Sequence, residues 1–316
     1  MKRFLFYPRA KSILSLIIRT HPTRYFKIIR NRWLKLLLYY FNNSPYVSGD
    51  SIAALTDYYV FGRNSKKSLN LEKLSTCRSI SVKAERFKEF LDQDIDLQNV
   101  HTIVTCNSDE NFLNSLELPQ SVTLWLCQNN AISGDSRVHT LPIGIENLRL
   151  ARSGFPNLHQ PQSSFEISNK VLVPPMSPTN EIRRKVIENL DPGDSNFDIK
   201  TEYLKPKDYF KMTRKYQFIL ALEGNGFENH RIWEALYQNS FPVMFRSKWS
   251  LSLAELKLPI MYIDALSDIT SESLKSFYSS HKDFKAINHE ALWTRYWEEL
   301  IHTGVYRQPI PGYTVH

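Results

Sequence analysis

Short runs of β-branched and aromatic residues recur along this chain, and each closes on a polar segment. Ser79, Ile80, Ser81 and Val82 alternate polar with apolar, which predicts a strand over 78–83, and residues 84–91 follow with helical spacing. Residues 101–106 read as a strand running into Asn107, Ser108 and Asp109. Residues 122–127 read as another, running into Gln128, Asn129 and Asn130. Residues 138–143 make a third, running into Gly144, Glu146 and Asn147. Residues 51–60 have helical spacing. Successive strands that end in polar loops are the pattern of a doubly wound parallel sheet, with its ligand groups at one edge.

The polar, proline-containing stretch 151–169 breaks this pattern, and a second series then begins. It comprises a strand from Lys170, a helix over 179–190 capped by Thr179 or Asn180, a weak strand over 197–201 and a helix over 205–215. A short strand at 260–263 and a helix over 291–301 bearing Trp293, Tyr296, Trp297 and Leu300 complete it. The expected organisation is an amino-terminal segment over 1–45, one α/β domain over 46–160, a second over 161–290, and a terminal helix and tail over 291–316.

Within the second series, residues 216–245 carry the most information. An apolar strand ending at Glu223 is followed by Gly224, Asn225 and Gly226, then an amphipathic helix from His230, then an apolar strand containing Pro242 and Val243. Charged groups cluster where the first strand hands over to the helix, the carboxyl edge at which open α/β sheets bind phosphates and sugars. Only ten glycines occur in 316 residues, so two of them in this turn point to tight turning or close ligand approach.

Charge modifies the picture at one end only. The formal net charge is +8, but residues 1–49 hold ten Lys/Arg and no acid, leaving 30 basic and 32 acidic groups in the rest. A near-neutral body argues against a nucleic-acid surface. The apolar runs at 13–18 and 33–41 fall short of the ~20 residues needed to span a bilayer, and no small-residue cleavage site follows the first. Two readings of this basic segment stand open: a helix lying on an anionic membrane face, or a pair of helices packed on the first domain. Cys77, Cys106 and Cys127 have no metal-ligand spacing and imply no disulfide framework, which suits a reducing, cytoplasmic compartment. Asp92, Asp94 and Asp96 satisfy an Asp-x-Asp pattern, but they lie between a helix and a strand and read as a solvated turn.

Tyr216, Phe218, Gly224-Asn225-Gly226, His230-Arg231, Trp233-Glu234-Ala235-Leu236-Tyr237 and Pro242-Val243, in that order, resemble the nucleotide-sugar subdomain of exostosin-like glycosyltransferases of the GT-B type. In the first half, Ser48-Gly49-Asp50, Asn107 to Asp109, Trp125 with Gln128-Asn129, Pro142 to Asn147 and Thr179-Asn180 look similar to bacterial members, so the resemblance covers roughly residues 46–300. It implies an α/β fold of two Rossmann-like domains facing a central cleft. It also implies transfer of a sugar from a nucleotide-sugar donor to a hydroxyl acceptor on a glycan or lipid-linked chain, in surface polysaccharide biosynthesis, with inversion and neither cofactor nor metal. A fucosyltransferase-like GT-B enzyme and a non-catalytic GT-B scaffold are the alternatives. The retaining GT-B pattern has a second Glu eight positions after the first, whereas Arg231 stands there and Glu234 lies eleven on.

Arg231 near a helix start suits a donor pyrophosphate, and Glu234 and Glu223 suit ribose or sugar hydroxyls; Gly224, Asn225, Gly226 and His230 complete the expected donor set. The alternative for Arg231 and Glu234 is an ordinary pair on a helix surface. Trp233 and Tyr237 are expected to pack. An inverting transferase needs a proton acceptor, for which Asp109 is the first candidate, with Glu146 and Asp50 behind it. Asp109 is equally placed to cap a following helix, Glu146 to hold an interdomain loop, and His230 to cap its own helix. Asn107, Gln128, Asn129, Asn147 and Asn180 are expected on the acceptor side or along the cleft.

Overall fold

The computed structural model describes residues 45–60, 69–150, 152–161 and 167–311. The basic amino-terminal segment, with both readings of it, lies outside the described residues. Among the described residues no helix is long and apolar enough to cross a membrane.

The first half runs α1 (Gly49–Ala53), β1 (Tyr58–Val60), α2 (Leu71–Thr76), β2 (Ser79–Lys83), α3 (Phe87–Leu91), β3 (Thr102–Cys106), β4 (Leu124–Cys127) and β5 (Val138–Thr140). All five strands are parallel and pair in sequential order. The central strands β3 and β4 are buried along their whole length, as strands covered on both faces must be. Phe87, Phe112 and Trp125 fill one side, and the Trp125 Nε1 donates to Thr105 Oγ1 at 3.0 Å. Cys77, Cys106 and Cys127 are free and buried, small apolar residues of this core.

One sequence expectation fails here. Residues 58–60 do not continue a helix; they form β1, pairing Tyr58, Tyr59 and Val60 with Ile80, Ser81 and Val82. β-branched and aromatic side chains favour a pleated surface once a neighbouring strand is available. The polar face of β2 is also covered: Ser79 Oγ donates to Asp57 Oδ2 at 3.1 Å, and Ser81 Oγ accepts from Thr56 Oγ1 at 3.0 Å.

The second half begins with β6 (Ser168–Val173), α4 (Glu181–Asn189), β7 (Phe197–Ile199), α5 (Pro206–Thr213) and β8 (Tyr216–Leu220). It continues with α6 (His230–Tyr237), β9 (Phe241–Phe245), α7 (Lys248–Ser252), β10 (Met261–Ile263) and α8 (Ser271–His281). Its parallel sheet has the order β7-β6-β8-β9-β10, so the order reverses between β6 and β8. Helix α8 has no counterpart in the sequence reading; capped by Thr270, it buries only Leu274 and shows little apolar periodicity.

Helix α9 (Thr294–Thr303) returns to the first half, where Trp297, Leu300 and Ile301 share a core with Ile52, Val104 and Leu124. Tyr237 on α6 fastens the same region, its hydroxyl accepting from Val47 N at 3.0 Å and donating to the Leu292 carbonyl. Trp233 and Tyr237 are buried packing residues, as expected. Two parallel five-stranded sheets, each flanked by helices, match a generic arrangement of two Rossmann-like domains of the GT-B-like kind.

Candidate functional site

Where the strand order of an open parallel sheet reverses, the loops leaving the two strands diverge and open a crevice at their carboxyl ends. A cavity of about 290 Å3 lies there, lined by Pro175 after β6, Arg183 on α4, Tyr203 and Tyr209 after β7, and His230, Arg231 and Glu234 on α6. Its volume is near the lower end of the ~300–1,000 Å3 typical of ligand pockets.

Helix α6 starts because Asn229 caps it, accepting from Arg231 N at 2.9 Å through Oδ1 while its amide nitrogen holds the Leu222 carbonyl. This places Arg231 in the first turn. Its Nε donates to Tyr209 OH at 3.2 Å and its Nη2 to the Pro175 carbonyl at 2.8 Å, while Nη1 is buried with no partner. Arg183 is held in the same way, by the Leu222 carbonyl at 3.2 Å and the Ser177 carbonyl at 3.4 Å, with Nε buried and unpartnered. Burial and the neighbouring Arg231 both lower its pKa. Neither guanidinium pairs with a carboxylate among the described residues.

Glu234, one turn beyond Arg231, is buried, and its carboxylate has no hydrogen-bond partner among the described residues. Burial pushes its pKa up to about 7, against the pull of Arg231. The surface-pair alternative therefore fails: Arg231 and Glu234 share a helix face and a cavity without forming an ion pair. Two guanidiniums without a carboxylate partner and a desolvated carboxylate thus face one space, groups whose chemistry complements anionic oxygens and hydroxyl groups.

His230 adds a third kind of group. Its Nδ1 lies 2.7 Å from the Gly144 carbonyl oxygen, so Nδ1 carries the hydrogen and Nε2 the lone pair. Its own helix is capped by Asn229, and the cap role expected of His230 goes to that residue.

The glycine turn leads into this site. Asn180, the cap of α4, donates from Nδ2 to the Glu223 and Gly224 carbonyls at 3.0 and 2.8 Å, and accepts from Arg183 N at 2.9 Å. A Cβ on Gly226 would stand 2.9 Å from Asn129 Oδ1, whereas one on Gly224 would meet nothing closer than 3.6 Å. Close approach thus explains Gly226 and not Gly224. Glu223 does not line the large cavity. Trp249 donates to its Oε1, and it borders a separate space of about 10 Å3.

The first sheet's polar residues are largely engaged with one another. Asn107, at φ 62°, donates from Nδ2 to Asp50 Oδ1 at 3.3 Å and Tyr59 OH at 3.1 Å, and its amide donates to Gln128 Oε1 at 3.0 Å. Asn147 closes the set, donating to Asn107 Oδ1 at 2.8 Å and accepting from Asp50 N at 2.7 Å. Gln128 donates to the Pro142 carbonyl at 3.0 Å. Glu146 accepts from Ser153 N at 2.8 Å and pairs with Arg152 Nε at 3.3 Å, which ties down the segment leaving the first half. Asp109 is exposed and receives a long contact from Asn225 Nδ2 at 3.4 Å; no helix follows it, so it caps none.

Two residues escaped the sequence reading. Arg183 carries a weak signal, an arginine in the first turn of the helix after the first strand of its domain. Glu228 carries none: its carboxylate accepts from Asn129 N, Ile143 N and Trp233 Nε1, each at 3.1 Å, and two of those donors lie some 85–99 positions earlier in the chain. Burial raises its pKa to about 7 while the three donors pull it down. No protein-family model matches the sequence, and no curated protein matches it.

Proposed function

We propose that this chain is a glycosyltransferase of the GT-B type whose nucleotide-sugar donor occupies the cavity at the β6/β8 switch point. The observation that carries this reading is the pair of guanidiniums, Arg231 and Arg183, each with a buried nitrogen left without a partner at the same cavity. A buried cation without an anion is costly, and a diphosphate supplies the anion. Arg231, in the first turn of α6, would also place that diphosphate where the helix dipole favours negative charge.

In this role the two arginines stabilise the charge that develops on the departing nucleoside diphosphate, without a metal. Glu234, desolvated beside them, accepts hydrogen bonds from the ribose hydroxyls. The acceptor is the hydroxyl of a glycan or lipid-linked sugar approaching from the first sheet's edge, past Asp109 and Asn225, and the sugar is transferred with inversion. A place in surface polysaccharide synthesis follows from the exostosin-like resemblance, and the basic residues 1–49 would keep the enzyme near an anionic membrane face.

Thermal-shift measurement with UDP, GDP, CMP and dTDP sugars, with and without EDTA, tests the reading. A rise with one of the nucleoside-diphosphate sugars that survives EDTA is expected, with the CMP sugar, which carries a single phosphate, as the control. A cooperative melt unmoved by every donor would reject it.

A further inference from the structure

Resting on the donor-site reading, we propose that His230 is the proton acceptor of the reaction, through Nε2. Asp109, the leading sequence candidate, is exposed and faces Asn225, and it does not line the cavity. His230 does line it, next to the phosphate-facing Arg231 and one turn from Glu234.

The imidazole is held so that only one nitrogen is offered. A carbonyl oxygen accepts and cannot donate, so the 2.7 Å contact with Gly144 O fixes the hydrogen on Nδ1. That carbonyl is itself immobilised. Gly144 has φ +64°, and a Cβ there would stand 1.9 Å from the Val47 carbonyl. Ile145 N donates to the same carbonyl at 2.8 Å. Nε2 has no hydrogen-bond partner among the described residues, so its lone pair is available to a ligand.

The step balances without a further reactant. An acceptor oxygen lone pair forms the new bond to the anomeric carbon as the acceptor proton passes to Nε2. The bond from the anomeric carbon to the diphosphate oxygen breaks, its electron pair leaving on the oxygen held by Arg231 and Arg183. The resulting imidazolium lies in the field of Glu146 and Asp109, which favour it, and of Arg152, which opposes it. His159 also senses this ring, and Arg231 and Glu234 share its helix. Burial lowers the pKa of His230, so the ring is neutral near pH 7 and ready to accept.

The test uses the full chain with UDP-glucose, UDP-N-acetylglucosamine, GDP-mannose and dTDP-glucose, reading nucleoside diphosphate release with water or added sugar as acceptor. His230→Asn keeps a side-chain donor near Gly144 O and removes the base. Its donor affinity should stay within about twofold while turnover falls about 10²-fold or more. The wild-type rate should fall as pH drops through a range below the ordinary imidazole value, and that fall should vanish in the variant. Turnover within about threefold of wild type at unchanged donor affinity would overturn the proposal. So would ring 15N shifts of the unliganded wild type showing an Nε2–H tautomer, a readout that needs no variant to fold. A wild-type chain that neither binds nor cleaves any of these donors overturns the donor-site reading and the role of His230 together. Loss of turnover alone in the variant leaves the donor-site reading standing.

Discussion

Glu228 and Asn129 hold each other reciprocally: Asn129 N donates to Glu228 Oε1 at 3.1 Å, and Glu228 N donates to Asn129 Oδ1 at 2.8 Å. Asn129 adopts φ 52°, a conformation asparagine tolerates better than most residues. With Ile143 N and Trp233 Nε1 also on the carboxylate, one buried side chain ties two loops of the first sheet to helix α6. Glu228→Ala strips three donors of their acceptor, two of them buried, and should cost about 3–5 kcal/mol, the range for breaking a buried charged network. Urea unfolding of the two proteins measures it. A loss below about 1 kcal/mol would show that water replaces the carboxylate freely.

Arg231→Ala and Arg183→Ala each remove one guanidinium from the cavity while leaving the caps Asn229 and Asn180 in place. Each should lower turnover by about 10²-fold or more through loss of leaving-group stabilisation, and should weaken binding of the free nucleoside diphosphate. Initial rates and calorimetric titration check both. Normal activity in Arg231→Ala would remove its phosphate role.

Glu234 makes a prediction about stability that runs opposite to its function. Its folded pKa of about 7 lies above the unfolded value, so the folded state binds the extra proton between them. Its contribution is therefore fully present below pH ~4.3 and is lost as pH rises toward 7. Glu234→Gln should flatten that decline and stabilise the unliganded protein at pH 8 by on the order of 1–3 kcal/mol, while weakening donor binding. Melting curves from pH 5 to 8 for both proteins decide it; parallel curves would place the carboxylate in water.

Two glycine substitutions should separate sharply. Gly144→Ala combines a left-handed backbone with a Cβ 1.9 Å from the Val47 carbonyl and should cost about 2–4 kcal/mol. Gly224→Ala meets nothing inside 3.6 Å and should cost under about 1 kcal/mol. Denaturant midpoints of the two variants compare them directly, and equal losses would contradict the geometry.

What could be read from the sequence follows the range of the interactions involved. The strands β3, β4 and β8 announce themselves because strands covered on both faces need largely apolar runs, whereas β6 shows only in its buried second half, Val171, Leu172 and Val173. Arg231, Glu234 and His230 are legible as one helical turn after a glycine-containing loop, and the structure does bring them to one cavity. Strand β1 escapes the local pattern because its identity depends on pairing with β2, twenty-two residues on. Glu223 faces Trp249 because the indole reaches it from α7, which nothing in the local pattern signals. Arg183 and Glu228 are illegible for the same reason: one meets Arg231 at the cavity and the other Asn129 only after the chain has folded.

The unpaired guanidiniums also bear on what happens after the sugar has gone. On the donor-site reading, Arg183 and Arg231 grip the part of the donor that the reaction leaves unchanged in charge or raises, so the spent nucleotide is held at least as firmly as the substrate was. Such an enzyme is inhibited by its own leaving group at concentrations comparable to those at which it binds donor. A phosphatase that destroys the free nucleoside diphosphate would relieve that inhibition as product accumulates.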